Sequence, residues 1–291
     1  MDIITFLVSV YCLIDDRLKG QRLRQRGPQP ILSDAEVLTI EIVGEFLGID
    51  TEIGLYRYFR AHFGDWFPRL RQVHRTTFTR QAANLWAVKC QLWQEIVPQV
   101  PHDRLISIVD SFPVPVCRFA RAPRCRILAG LAAFGYDEVA KQTFFGLRAH
   151  IRLSWPGVIS DFLLTPANVS DTRAAETMLP SVQGWVLADR NYWKPALREA
   201  LKSQGLHLMA PYKSKKREPF AYPKWMTHMR YRIETVIGQL VERFHAKKVW
   251  ARDAWHLTSR WMRKLLSHSI AVLFCTQAGL SHLSLAKLIV S

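Results

Sequence analysis

Residues 142–166 read QTFFGLRAHIRLSWPGVISDFLLTP. Their apolar residues fall in short runs rather than at helical three and four spacing, and Pro156-Gly157 supplies a turn between them. The stretch therefore predicts two strands, 142–155 and 158–166, joined as a hairpin. Upstream, RLISIVD at 104–110 is a short apolar run closed by an acid, which predicts a buried strand. Downstream the pattern alternates. NVSDTRAAETMLPSV predicts a short helix capped at Ser170 or Asp171, WVLAD at 185–189 a strand, KPALREALKSQG a helix and LHLMAPY at 206–212 another strand. A basic loop, KSKKREPFAYPKW, then leads into a helix containing RYRIETVIGQLVERFHAKK. The order strand, hairpin, helix, strand, helix, strand, helix predicts a mixed α/β layer.

The first hundred residues follow another period. Ala35, Val37, Leu38, Ile40, Ile42, Val43, Phe46 and Leu47 recur at helical spacing behind Ser33 and Asp34 as caps, and helices are predicted again at about 52–63 and 76–97. The segment RQVHRTTFTRQAANLW, with Thr76 or Thr77 as cap and Arg75 and Arg80 flanking it, suits a helix-turn-helix-like module. At the other end Leu257, Trp261 and Leu265, with Met262, Leu266, Ile270 and Leu273, mark an amphipathic helix. The predicted division is a helical domain over 1–100 and an α/β domain over 101–291 that includes this last helix, with the boundary around Pro98 and Pro101.

A chain of 291 residues with 49% hydrophobic and 22% charged residues buries a sizeable core, which excludes disorder, collagen and coiled coil. Lys and Arg number 40 against 24 Asp and Glu, a net charge of +16, and this points to a polyanionic partner. Residues 211–291 hold 15 basic and 4 acidic residues, so the excess is C-terminal; Lys213, Lys215, Lys216 and Arg217 form its densest run. RLKGQRLRQR at 17–26 carries no acid, and RFARAPRCR supplies Arg118, Arg121, Arg124 and Arg126. Basic clusters interleaved with aromatics suit phosphate binding. The five cysteines form neither a disulfide framework nor a metal knuckle, no window is apolar enough to span a membrane, and the N-terminal apolar stretch lacks the basic region of a secretory signal. The expectation is a cytoplasmic protein with reduced thiols and no membrane partner.

Three acids occupy positions that packing does not explain. Asp110 closes a strand run before Ser111-Phe112-Pro113, and Asp189 closes another before Arg190-Asn191-Tyr192. Carboxyl ends of central strands are where α/β sheets place ligands. Glu234 lies beside the stripe Ile233, Val236, Ile237, Leu240 and Phe244, one turn after Arg230 and one turn before Gly238, a mid-helix glycine that suggests close approach. Two strand-end aspartates and a helical glutamate in a basic chain are what two-metal phosphoryl transfer needs. Carboxylates hold Mg²⁺ or Mn²⁺, and a basic surface holds the nucleic-acid backbone. Tyr192 and Trp193 could stack on a base. There is no HExxH, no GxxxxGK[ST] and no nucleophile elbow, so zinc hydrolysis, ATP-driven work and a serine triad are not supported.

IVDSFPV, HIRLSWPGVISDFLLTPANVSD, VLADRNYW and RYRIETVIGQL, in that order, resemble a DDE-type transposase of a small bacterial insertion sequence. The resemblance covers about 101–245 and implies a ribonuclease-H-like mixed sheet flanked by helices, preceded by a helical DNA-binding domain. It implies Asp110, Asp189 and Glu234 as catalytic metal ligands to two Mg²⁺ or Mn²⁺ ions. It also implies DNA contacts by the arginines and lysines named above, with Arg190 and Arg230 among them. The partners implied are double-stranded DNA, both the element's terminal inverted repeats and a target, and a second copy in a homodimer or larger synaptic complex, in a bacterial, nucleoid-associated setting. Many relatives place Tyr and Lys where this chain has Thr227 and Val241, whereas Arg230 fits their pattern. A structure-selective metal-dependent nuclease and a catalytically inactive, transposase-derived DNA-binding protein are the alternative functions.

Overall fold

A computed structural model of the chain describes residues 1–24, 26–180, 182–211, 224–248 and 250–289. In chain order the helices and strands are α1 (Ile3–Leu18), α2 (Asp34–Phe46), α3 (Glu52–His62), α4 (Arg75–Asn84), α5 (Trp86–Ile96), β1 (Asp103–Pro115), β2 (Ala133–Asp137), β3 (Gln142–Trp155), β4 (Val158–Pro166), α6 (Asp171–Met178), β5 (Gly184–Leu187), α7 (Pro195–Lys202), β6 (Leu206–Met209), α8 (Lys224–Gly238) and α9 (Ala254–Gln277). They form two compact units. One comprises Met1–Gln99, Glu242–Ala246 and Trp250–Ser291, the other Val100–Val241 and Lys247–Val249.

The helical unit is built around α2 and α9. Ser33 and Glu36 close a capping box that starts α2, and Asp253 caps α9 by accepting from the His256 N–H at 2.9 Å. Residues on every side of α2 are buried, because α1 and α9 both pack on it. Phe6 of α1 lies 4.8 Å from Phe46 and 5.8 Å from Phe274, ring centre to ring centre. Charge is buried here too. Lys89 reaches Glu41 at 2.7 Å and Ser259 Oγ at 2.8 Å, Arg263 lies between Glu45, Glu41 and Glu52, and Lys264 pairs with Glu45. Burial pushes Glu41 up and Lys89 down, and each opposes the other's shift.

In the second unit one mixed sheet runs β2-β3-β1-β5-β6, with β4 also paired to β3. β3 is antiparallel to β1, β2 and β4, whereas β5 runs parallel to β1 and β6 parallel to β5. This is the α/β fold with a helical N-terminal region that the sequence predicts. α6 and α7 close one face over Val109, Val186, Ala188, Leu206 and Leu208. Gly184 sets β5 against β1: its φ is +89°, and a Cβ there would strike the Leu105 carbonyl.

Several expectations change. The helix predicted over 76–97 is two helices broken at Leu85, and α4 is capped by His74 rather than by Thr76 or Thr77. Strand β1 does not end at Asp110 but continues to Pro115, because long β3 pairs with it from Ser107 onward. Strand β2 has no counterpart in the sequence reading. The last helix, α9, packs with α2 and α5 in the helical unit instead of joining the domain assigned to 101–291, since its buried sides carry the partners of Glu41, Glu45 and Lys89. Among the described residues no helix is long and apolar enough to cross a membrane.

Candidate active site

The parallel pairing of β1 with β5 places the two aspartates together. Ile108 is opposite Leu187, and Asp110 and Asp189 each lie two residues farther on. Alternation along a strand puts both on the sheet face opposite α6 and α7, at the level where β5 has ended and β1 has not. Asp110 Oδ1 accepts from the Ser111 N–H at 2.8 Å. Asp189 Oδ1 accepts from the Asn191 N–H at 2.8 Å, which starts a tight turn over Arg190–Tyr192.

Protein crowds both carboxyls. Burial pushes Asp110 up to about 7, with the charges of Asp189 and Asp171 adding to it, while the Ser111 N–H and Arg230 oppose the rise. Asp189 is raised as well, first by burial and then by Asp171, against the Asn191 N–H and Arg230. Arg230 on α8 is thus within electrostatic reach of both acids. With Arg190, Thr227 and Met226 it also lines a cavity of about 180 Å³ beside Leu187 and Ala188.

A polar layer on the other face supports Ser111 and hence the strand at Asp110. Ser111 Oγ donates to Asp171 Oδ1 at 2.6 Å and accepts from Arg148 Nη1 at 3.3 Å. His150, opposite Ser111 in the ladder, has Nδ1 3.6 Å from Asp171 and Nε2 2.9 Å from Thr165 Oγ1. Burial pushes this histidine down to about 4, against the pull of Asp171. Tyr192 is buried in the core, so it is not a base-stacking surface, and Trp193 packs against the same core. The Tyr192 phenol is pushed well above its ordinary value by burial and by Asp171, Asp110 and Asp189, with Ser111 opposing the rise.

The other predicted residues fall as follows. Glu234 is exposed on α8, one turn after Arg230, and among the described residues no three His, Cys, Asp or Glu side chains form a cluster able to hold a metal. No atom comes within 4 Å of a Cβ built on Gly238, so the fold itself does not require a glycine there. Arg118, Arg121, Arg124 and Arg126 are all exposed in and around the turn Phe119–Arg124, Arg190 is exposed beside Asp189, and Arg75 and Arg80 lie on α4. Lys213, Lys215, Lys216 and Arg217 lie outside the described residues. Sequence reading missed Ser111, Asp171, Arg148 and His150 as a group. The available signal was the polar series Arg148, His150 and Arg152 at every second position of an otherwise apolar strand.

Two carboxylates in register, both raised first by burial and also by Asp171, fit a hard divalent cation: the donors are oxygens, and Arg230 offsets their charge only in part. Comparison of the chain with curated proteins and with solved structures returns no match. A family model described as the transposase DDE domain matches residues 102–250, a stretch that holds both aspartates, Glu234 and the whole sheet, and by this match the chain belongs to the DDE transposases.

Proposed function

We propose that the chain cuts DNA at the ends of its insertion sequence and joins the resulting 3′-hydroxyl end to target DNA. The observation that carries this reading is the register of Asp110 and Asp189 on one sheet face, with Arg230 of α8 within reach of both. Asp110 and Asp189 would hold Mg²⁺ or Mn²⁺, two ions per active site, with Glu234 as the third acid from α8. When bound, the ions activate the attacking oxygen and stabilise the leaving one during in-line displacement. Arg230 partly offsets the acids' charge and presents a guanidinium to a phosphate. Ser111 and Asp171 hold the β1 backbone that carries Asp110. Arg118, Arg121, Arg124, Arg126 and Arg190 would contact the DNA backbone, as would Lys213, Lys215, Lys216 and Arg217. The helical unit would recognise the element's terminal repeats. A homodimer or larger synaptic complex would supply one site to each of two DNA ends, and light scattering with and without end DNA reads that assembly.

The test is incubation with Mg²⁺ and a labelled element end, with products mapped on a sequencing gel. Nicks at the end and joined strand-transfer products are expected from the wild type, and neither from Asp189→Asn. Hydrolysis without joining would replace this reading with a nuclease. Cutting and joining by Asp189→Asn at the wild-type rate would remove Asp189 from the site.

A further inference from the structure

We propose that Cys117 and Cys125 are a peroxide-responsive dithiol whose disulfide locks the arginine-bearing turn between them. The bond closes a ring around Arg118, Arg121 and Arg124, and it forms whether or not the DNA-processing reading above holds.

The two residues flank the tight turn Phe119–Arg124, and their thiols share a hydrogen bond. The backbone brings them together. Just past the end of β1 the Val116 N–H donates to the Phe145 carbonyl of β3 at 3.0 Å, so Cys117 leaves the sheet from a fixed point. The turn then closes through the Arg121 N–H on the Arg118 carbonyl at 2.8 Å and the Cys125 N–H on the Ala122 carbonyl at 3.1 Å. Ala122 is buried, and Phe119 packs edge-on against Phe134, ring centres 6.2 Å apart, which seats the turn on β2. A disulfide holds its sulfurs about 2.05 Å apart, and thiols that already share a hydrogen bond reach that separation by side-chain rotation.

Both thiols are partly exposed, so a small oxidant in solvent reaches them. Cys275 is buried, and Cys12 and Cys90 belong to the helical unit. Burial and the hydrogen bond to Cys125 raise Cys117, and Arg121 opposes the rise by favouring the thiolate. Hydrogen peroxide supplies the oxidising equivalents. Cys117 gives its proton to solvent and its thiolate attacks one peroxide oxygen; the O–O bond breaks, leaving a sulfenic acid and a hydroxide that takes up the released proton as water. The Cys125 sulfur then attacks the sulfenic sulfur, the S–O bond breaks, and the hydroxyl leaves with the Cys125 proton as a second water. The two sulfurs lose two electrons and the peroxide gains them. With Cys125 already in place, the sulfenic acid is captured before a second peroxide can carry it to the irreversible sulfinic acid. Where thiols are kept reduced, such a bond is transient and sensing rather than structural. It adds no charge to the turn, so its effect is on the freedom of the backbone that carries the three arginines.

The test treats the full native chain with hydrogen peroxide, quenches in acid, blocks remaining thiols with N-ethylmaleimide and maps peptides without reduction. The expected product is one chain lighter by two hydrogen atoms, with Cys117 joined to Cys125 and the bond reversed by dithiothreitol. Limited trypsin digestion should cut the turn after Arg118, Arg121 or Arg124 more slowly once it is oxidised, and the fragments should part only on reduction. Cys125→Ser, which leaves no capturing thiol, should instead give a dimedone adduct on Cys117. Both thiols remaining open to N-ethylmaleimide after peroxide, in a chain that melts like the untreated protein, would overturn the pair. So would separate sulfinic acids on the two residues, or a bond from either one to Cys12 of another copy. An oxidised turn that trypsin cuts as fast as the reduced one would overturn the lock.

Discussion

Replacing Asp110 by Asn tests the acid pair without any DNA. In the folded chain this carboxyl titrates at about 7, against an ordinary value of 3.8, because burial and the charges of Asp189 and Asp171 disfavour its ionised form. The folded state therefore binds this proton more tightly than the unfolded state does. That contribution to stability is complete below about pH 4 and is lost as pH rises through about 7. At 1.36 kcal/mol per pH unit, ionised Asp110 costs the metal-free fold on the order of 4 kcal/mol above pH 8. Asn keeps an oxygen to accept from the Ser111 N–H and carries no charge, so the variant should escape most of that cost. Melting both proteins in EDTA should give nearly equal transitions at about pH 4 and a variant that is several degrees more stable at about pH 8.5, at roughly 2–4 °C per kcal/mol. Mg²⁺ should raise the wild type at the higher pH and leave the variant little changed. A gap between the two proteins that stays constant from acid to alkaline pH would refute the reasoning, because it would mean that Asp110 is not held in an environment hostile to its charge.

Glu234→Gln should reduce metal-dependent cleavage by orders of magnitude while anisotropy shows unchanged DNA binding; cleavage at the wild-type rate would move the third-acid role to another residue. Lys89→Met leaves Glu41 buried without its nearest cation, and chemical denaturation should show a loss of about 3–5 kcal/mol. A loss within about 0.5 kcal/mol would mean that Glu41 takes up a proton at little cost.

Strands were legible where one physical signal dominated. β3 and β4 match the apolar runs on either side of Pro156-Gly157 at both ends, because a turn that Pro and Gly enforce leaves little freedom of register. β2, with the sequence AFGYD, was not legible: Phe134 and Tyr136 are half exposed, so no buried run announces the strand, and its pairing with β3 forms it. The placement of α9 was hidden for a different reason. Its apolar stripe announces a helix but not a partner, and the partners are the acids Glu41 and Glu45 of α2 and the neighbours of Lys89. Along the sequence these read as ordinary solvent-facing charges. Periodicity reports which side of a helix is apolar and cannot report that charges from three helices neutralise one another inside a core.

The site divides along the same line. Asp110 and Asp189 were legible as acids closing apolar runs, and their proximity follows once β1 and β5 are parallel neighbours, because equal offsets past a paired position put both carboxyls on one face. The polar layer was illegible because its members come from unrelated contexts: a serine beside a catalytic candidate, the first aspartate of a helix that Ser170 caps, and alternate residues of a strand. Yet this layer explains how the pair can persist. Two crowded carboxylates push β1 and β5 apart unless the strands are held. Ser111, the residue after Asp110, is fixed on the opposite face by Asp171 and Arg148, while Asp189 is fixed by the turn that its own side chain starts. Asp171 also adds negative charge to both acids, so the residue that anchors the site raises its demand for positive charge. The same residue that holds β1 in register therefore raises the pull of both acids on any positive charge, proton or metal ion alike.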